Sequence, residues 1–191
     1  MSEVIRKSNR KGWLLVLVFT IAWTGIIYYL GPRVGAPGNF GEQTIRFPAN
    51  FDWALSDLNG QPIKFEKFKG KPIFLNIWAT WCGPCIAEMP SIARLAANPK
   101  LKGKVEFVCV ATDSSVTPVR QYVEGKGWPM TFLHADSLPM SLQTDGIPAT
   151  FAISPEGIIV GVVEGSSDWD NPEVVTFLEK LTKPEVDVSK K

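Results

Sequence analysis

Apolar and polar positions divide the chain into stretches of different character. From Gly12 to Pro32 no residue is charged. Within that run Trp13 to Leu30 reads WLLVLVFTIAWTGIIYYL, apolar on every face of a helix and long enough to span a hydrocarbon core. The next stretch carries Gly31, Pro32, Gly35, Pro37, Gly38, Gly41 and Pro48, the punctuation of a linker. From about residue 50, short apolar runs alternate with helical patterns. Phe51–Leu55 and Pro62–Phe65 are predicted strands around the turn Asp57-Leu58-Asn59-Gly60. Ile73–Trp78 and Val105–Ala111 are nearly continuous apolar runs, as strands covered on both faces require. Helices are predicted over 83–97, over Val116–Lys126 and from Asn171-Pro172 to about Leu181. Thr131–Leu133 is a short strand, and Ala149–Ile153 pairs with Ile158–Val163 around Ser154-Pro155-Glu156-Gly157. The chain thus divides into a segment 1–11, a transmembrane anchor 12–32, a linker 33–49, one domain 50–182 and a frayed tail 183–191. The order of elements predicts an α/β fold with a mixed central sheet.

Composition narrows the class. The 191 residues are 45% apolar and 20% charged, ordinary globular values that exclude a disordered or fibrous chain. Twenty basic and 19 acidic residues give a net charge of +1, without the basic excess of a nucleic-acid binder. Three cysteines are too few for a disulfide scaffold. Placement of charge says more than its sum. Arg6, Lys7, Arg10 and Lys11 precede the uncharged run, and only Arg33 and Arg46 follow it before residue 50. This asymmetry predicts a cytoplasmic N-terminus and a body outside the cytoplasm. Trp13 and the pair Tyr28-Tyr29 sit where an interfacial aromatic belt would place them. A cleavable signal peptide is the rival. Val34-Gly35-Ala36 imitates a cleavage site, but Pro37 fits poorly after it, and the apolar run exceeds the usual h-region of about 7–15 residues.

The chemistry concentrates in Trp81-Cys82-Gly83-Pro84-Cys85, between a buried strand and a helix. Cysteines at i and i+3 on a helical turn face the same way and can meet disulfide geometry. Unpaired N–H groups and the macrodipole at a helix start stabilise a thiolate. Cys82 is therefore the expected nucleophile, with a lowered pKa, and Cys85 the resolving thiol. A zinc half-site is the alternative, but only Cys109 and the single His134 remain as soft ligands, where about four are needed. A purely structural disulfide over so short a loop would constrain the unfolded chain little. Cys109 reads as a small buried hydrophobe, His134 as structural or exposed, Trp78 as core and Pro90 as a helix kink.

The segment FLNIWATWCGPCIAEMP resembles the active-site segment of the thioredoxin superfamily, in particular the membrane-anchored TlpA/ResA-like thiol–disulfide oxidoreductases. The resemblance extends over roughly residues 50–182, including DLNGQPIKFEKFKGKP and GIPATFAISPEGIIVG. It implies a thioredoxin-like fold, a central mixed sheet flanked by helices, with an N-terminal hairpin and one N-terminal membrane helix. Gly146-Ile147-Pro148 matches the family's cis-proline loop, which leaves the backbone of Ile147 free to pair with an extended substrate. Glu88 matches the acidic residue of the CxxCxxExP pattern and is an expected acid–base partner of Cys85. Asn76 stands where cytosolic thioredoxins carry a buried Asp. Trp81, Gly83, Pro84 and Ile147 are the expected substrate-contacting residues, with Cys82, Cys85, Glu88 and Pro148 catalytic.

The resemblance further implies a reductant of protein disulfides on the periplasmic side of a bacterial membrane. It would need no cofactor and would draw electrons from a membrane donor of the CcdA/DsbD type. Cytochrome c maturation is the family's commonest task. A thiol peroxidase of the same fold would want Thr at the position of Ala79. A copper-delivery module would want a second histidine and wider cysteine spacing.

Overall fold

The computed structural model describes residues 46–183, together with residues 16, 19, 20, 22 and 40. The chain forms two units, Met1–Val34 and Gly35–Lys191. In the first, the described residues are helical, and no described helix is long and apolar enough to cross a membrane. The segment 1–11, most of the expected anchor 12–32 and nearly all of the tail 183–191 lie outside the described residues.

The second unit is built on one sheet of eight strands: β1 (Phe47–Pro48), β2 (Ala54–Ser56), β3 (Pro62–Lys64), β4 (Ile73–Trp78), β5 (Glu106–Ala111), β6 (Thr131–His134), β7 (Ala149–Ile153) and β8 (Ile158–Glu164). Their order is β1-β8-β7-β4-β5-β6-β2-β3. The pairs β4·β5 and β5·β6 are parallel and the remainder antiparallel, so the sheet is mixed. Among the described residues three helices accompany it: α1 (Gly83–Ala97), α2 (Val116–Val123) and α3 (Pro172–Leu181).

Every residue of β4 is buried, and the period of two sends its side chains to different cores. Phe74 and Trp78 join the cluster under the helices, with Met89, Ile92 and Leu95 of α1, Val119 of α2 and Leu178 of α3. Ile73, Leu75 and Ile77 join a second cluster on the opposite face, closed by Phe51, Trp53, Leu55 and the 3-10 turn Phe65–Phe68. In β5, Phe107 and Cys109 face the helices while Val108 and Val110 face away. The helices thus share one face, and aromatic residues of an irregular segment cover the other.

Sequence patterns place α1 and β7 at their observed bounds. Pro84 stands in the first turn of α1, where its missing N–H is harmless. Asn171 caps α3, its Oδ1 accepting from the N–H groups of Glu173 and Val174 at 3.1 and 3.0 Å. Three expectations shift. The helix expected to Lys126 ends at Val123, because Gly125 and Gly127 take positive φ. The first hairpin strand begins at Ala54, not Phe51. Phe51 and Trp53 are irregular and buried, and the Trp53 indole donates to the Ser137 carbonyl at 2.8 Å. The segment read as linker to residue 49 contributes to the domain. Phe47 and Pro48 pair with Ile159 and Ile158, and Phe40 is 1% exposed.

Phe40 stacks on Phe177 with centroids 4.9 Å apart and lies 5.4 Å from the Trp169 ring. It fits because residue 161 has no side chain. A Cβ on Gly161 would stand 2.7 Å from Phe40 Cδ1 and 3.0 Å from Phe40 Cβ. Gly161→Ala is therefore expected to lower unfolding free energy by about 1–3 kcal/mol through overpacking. In a Phe40→Ala background the same change should cost less, since the 2.7 Å contact with Cδ1 is gone and only the 3.0 Å contact with Cβ remains. Urea unfolding of the four proteins of this cycle measures both effects; equal losses in the two backgrounds would place the strain elsewhere.

Candidate active site

β4 delivers the chain to the site. After Trp78 the turn Ala79-Thr80-Trp81 closes with the Cys82 N–H on the Ala79 carbonyl at 3.2 Å. Cys82 is then the N-cap of α1, in extended conformation, and its Sγ accepts from the Cys85 N–H at 3.2 Å. Cys82 and Cys85 are joined as a disulfide. The helix N-terminus thus aims a backbone donor at the sulfur that would carry the negative charge. Cys82 is 6% exposed and Cys85 not at all, so an incoming reagent meets Cys82 first. Cys82 is thus the outer sulfur of the pair and Cys85 the shielded one.

The cis peptide expected in the 146–148 loop is present between Ile147 and Pro148. The Ile147 carbonyl oxygen lies 3.7 Å from Cys82 Sγ. A disulfide sulfur has no proton to give, so this is a contact in the oxidised state and a place for the thiol proton in the reduced one. Pro148 offers no N–H, leaving the main-chain groups of Ile147 as those beside the sulfurs. Around them Trp81 is 71% exposed, Gly83 and Pro84 are exposed, and Ile147 is half-buried. The residues expected to touch substrate therefore surround Cys82.

Glu88 lies one turn below Cys85 and is 2% exposed, so its carboxyl is shielded from solvent. Three donors converge on its carboxylate. The Asn76 Nδ2–H reaches Oε1 at 2.8 Å; the Ser167 N–H and the Trp169 indole N–H reach Oε2 at 3.0 and 2.9 Å. Burial nevertheless outweighs them and raises the carboxyl pKa from 4.5 to about 7, the hydrogen bonds from Trp169, Ser167 and Asn76 pulling the other way. Asn76, in place of an Asp, also donates to Thr150 Oγ1 at 2.9 Å across the β4·β7 pair. Among the described residues its own buried Oδ1 has no hydrogen-bond partner. Cys109 stands opposite Asn76 on β5; burial, and secondarily the charge of Glu88, pushes its thiol pKa far up. It is the inert buried thiol that its strand pattern implied.

Sequence reading missed Ser167, Trp169 and Thr150 as partners of this site, and also Asp113. The Asp113 carboxylate accepts the Thr80 N–H at 3.0 Å and the Thr80 hydroxyl in a short hydrogen bond. His134 is buried, with Nε2 at 2.6 Å from the Asp113 carbonyl. Among the described residues no three His, Cys, Asp or Glu side chains gather as metal ligands.

The sign of the Glu88 shift makes a stability prediction for the disulfide form. Between about pH 4.5 and 7 the folded chain keeps a proton that the unfolded chain has released. This contribution to stability is complete below that window and is lost as pH rises through it, by about 3 kcal/mol in total. Glu88→Gln should remove that pH-dependent loss, because Gln accepts from Trp169 and Ser167 but does not titrate. Urea unfolding of both proteins at pH 5 and about pH 8 should show the gap moving in favour of Glu88→Gln at the higher pH. A gap independent of pH would mean that Glu88 titrates normally.

Comparison with known proteins agrees with this geometry. Residues 43–178 match the family model described as Redoxin. The thiol-disulfide oxidoreductase ResA of Bacillus subtilis is 32% identical over 171 residues, covering 87% of this chain and 89% of that protein. A ResA of Bacillus thuringiensis is 33% identical over 135 residues, 69% of this chain and 75% of that one. Among solved structures, MTB dsbF, in mixed oxidised and reduced forms, superposes with a TM-score of 0.57 at 30% identity, over 71% of this chain and 99% of its own. A secreted Mycobacterium tuberculosis disulfide oxidoreductase homologous to E. coli DsbE gives 0.54 at 25%, over 69% and 95%. A dithiol pair capping a helix beside a cis-proline, on a sheet shared with these proteins, belongs to a chain of the redoxin family: a ResA-like thiol–disulfide oxidoreductase of thioredoxin-like fold, with Cys82 and Cys85 as its CxxC pair.

Proposed function

We propose that the protein is a reductant of protein disulfides, held by an N-terminal anchor with its catalytic domain outside the cytoplasm. The observation that carries the mechanism is the sulfur of Cys82 at the start of α1, bonded to the Cys85 N–H and flanked by Ile147. In the reduced enzyme the Cys82 thiolate attacks one sulfur of a substrate disulfide. A mixed disulfide forms, and one substrate sulfur leaves as a thiolate that takes up a proton. Cys85 then loses its proton and attacks Cys82 Sγ. The second substrate thiolate leaves, and two electrons have passed from the dithiol to the substrate, leaving the Cys82–Cys85 disulfide. Glu88 receives the Cys85 proton; a carboxyl with a pKa of about 7 is suited to exchange it near neutral pH. Trp81, Gly83, Pro84 and Ile147 hold the substrate chain, with Pro148 shaping the loop.

Reducing activity is supported by the Gly-Pro dipeptide between the cysteines and by Ile147 before Pro148. Location is supported by the basic residues before the uncharged run. A reductant in an oxidising compartment must be recharged from the cytoplasm, which points to a membrane electron donor of the CcdA/DsbD type. Proteins awaiting haem attachment in cytochrome c maturation are the proposed substrates.

Two experiments test this reading. Cys85→Ala cannot resolve the mixed disulfide, so in cells it should accumulate disulfide-linked adducts at Cys82, in the membrane fraction and with extracytoplasmic partners. Capture of cytoplasmic proteins would refute the proposed location, and release of a soluble product starting near Pro37 would show a cleaved signal and refute the anchor. For Glu88, the rate of exchange with one small disulfide should be recorded against pH. Wild type should show a titration near pH 7 that Glu88→Gln lacks, with the variant slower by about tenfold or more where proton transfer limits the rate. Superimposable profiles would remove Glu88 from the reaction.

A further inference from the structure

Asp113 is a buried carboxylate that the exchange steps do not use. It is 4% exposed, just beyond the C-terminal end of β5. A carboxylate so placed requires donors, and among the described residues they come from Thr80. Thr80 gives its main-chain N–H, 3.0 Å from Oδ2 and 3.3 Å from Oδ1, and its hydroxyl to Oδ1.

Asp113 is itself held from behind. Its carbonyl oxygen, which can only accept, meets His134 Nε2 at 2.6 Å, so the ring carries its proton on that nitrogen. His134 in turn is fixed in β6, opposite Ala111 of β5 and Ser56 of β2. A continuous line of contacts therefore runs from the sheet through His134 and Asp113 to Thr80. The next residue is Trp81, the large indole that stands 71% exposed beside Cys82.

We propose that Asp113 and Thr80 form a clamp that presents Trp81 to polypeptide substrates. They are positioning residues that set preference for disulfides in peptide chains over small disulfides. The proposal rests on the reading of Trp81 as a substrate-contacting residue. Its physical basis is preorganisation. An exposed indole on a loose turn must be ordered when substrate binds, which subtracts from affinity. A turn already fixed by two hydrogen bonds has lost that freedom on folding. Cys82 Sγ is held by other contacts, from the Cys85 N–H and Ile147, so a disulfide too small to reach Trp81 gains nothing from the clamp.

The test uses the full chain and two substrates, hydroxyethyl disulfide and a peptide closed by one disulfide with apolar flanking residues. Thr80→Val deletes the hydroxyl while keeping the main-chain N–H; Thr80→Ser keeps both. Thr80→Val should lower kcat/KM for the peptide about three- to tenfold, the scale of one net hydrogen bond, mainly through KM. Exchange with hydroxyethyl disulfide should be unchanged, and Thr80→Ser should behave as wild type with both. Asp113→Asn should match Thr80→Val, and the pair together should be no worse than either alone. Thr80→Val carries the test by itself where Asp113→Asn does not fold. In a Trp81→Ala background Thr80→Val should have no further effect.

Equal losses on both substrates would show that the clamp serves the thiols and overturn the proposal. Losses on neither, or a loss that persists without the indole, would overturn it as well. If Trp81→Ala alone leaves peptide exchange intact, the reading of Trp81 fails and the clamp with it. If Trp81→Ala weakens peptide exchange and Thr80→Val does not, the clamp alone fails.

Discussion

A carboxyl group inside an apolar layer imposes conditions on every element around it. Glu88 occupies such a place, beneath the helices and against β4, and it needs partners that α1 cannot supply from its own interior backbone. They come from three directions. Asn76 reaches it from the sheet, Ser167 from the loop after β8, and Trp169 from the approach to α3. Meeting that need ties α1 to β4, to the β8–α3 connection and, through Asn76, to Thr150 on β7. Ser91 strengthens the tie, accepting from the Trp169 N–H at 3.2 Å while donating to the Glu88 carbonyl at 2.7 Å. The packing that surrounds the dithiol is thus organised by the group that would exchange its proton.

Two demands compete in this arrangement. Hydrogen bonding favours the ionised carboxylate, and burial favours the neutral acid; burial wins, yet leaves the pKa about 7, close to neutrality. A site with fewer donors would hold the proton too firmly to release it, and one open to water would surrender it near the ordinary 4.5. The Cys109 thiol, opposite Asn76 and in the same layer, is pushed up by burial and by the charge of Glu88, and stays protonated. Burial thus raises both acids under this sheet face, and hydrogen bonds draw the carboxyl part of the way back.

What was legible in the sequence follows from the range over which each signal acts. The apolar run of β4, the cysteine spacing and Pro84 are local, and they place the strand, the helix start and the dithiol. The bounds of α1 follow from the same signals. The partners of Glu88 are not local: Trp169 lies 81 residues away, and nothing in Ser166-Ser167-Asp168-Trp169 marks it as a donor to α1. Asp113 was equally hidden, because an Asp in a Thr-Asp-Ser-Ser loop looks solvated until Thr80 is brought against it. Phe40 was read as linker for a related reason. Glycine and proline density reports on turns, whereas the aromatic residue between them is placed by Phe177, Trp169 and the missing side chain at residue 161. A lone Phe in such a stretch, wasteful in a solvated chain, was the available signal.

The buried Asn76 oxygen without a partner has a consequence for how the site accommodates a change of protonation. A primary amide is nearly symmetric in shape, with a donor at one end and an acceptor at the other. With Glu88 ionised, the NH2 end faces it. With Glu88 protonated, rotating the side-chain amide half a turn would present the oxygen to the new O–H and to the Thr150 hydroxyl instead. Heavy atoms would exchange places almost without displacement. A proton could then arrive or depart while the backbone of β4 and α1 stays still, its passage recorded in the orientation of one amide and not in the shape of the domain.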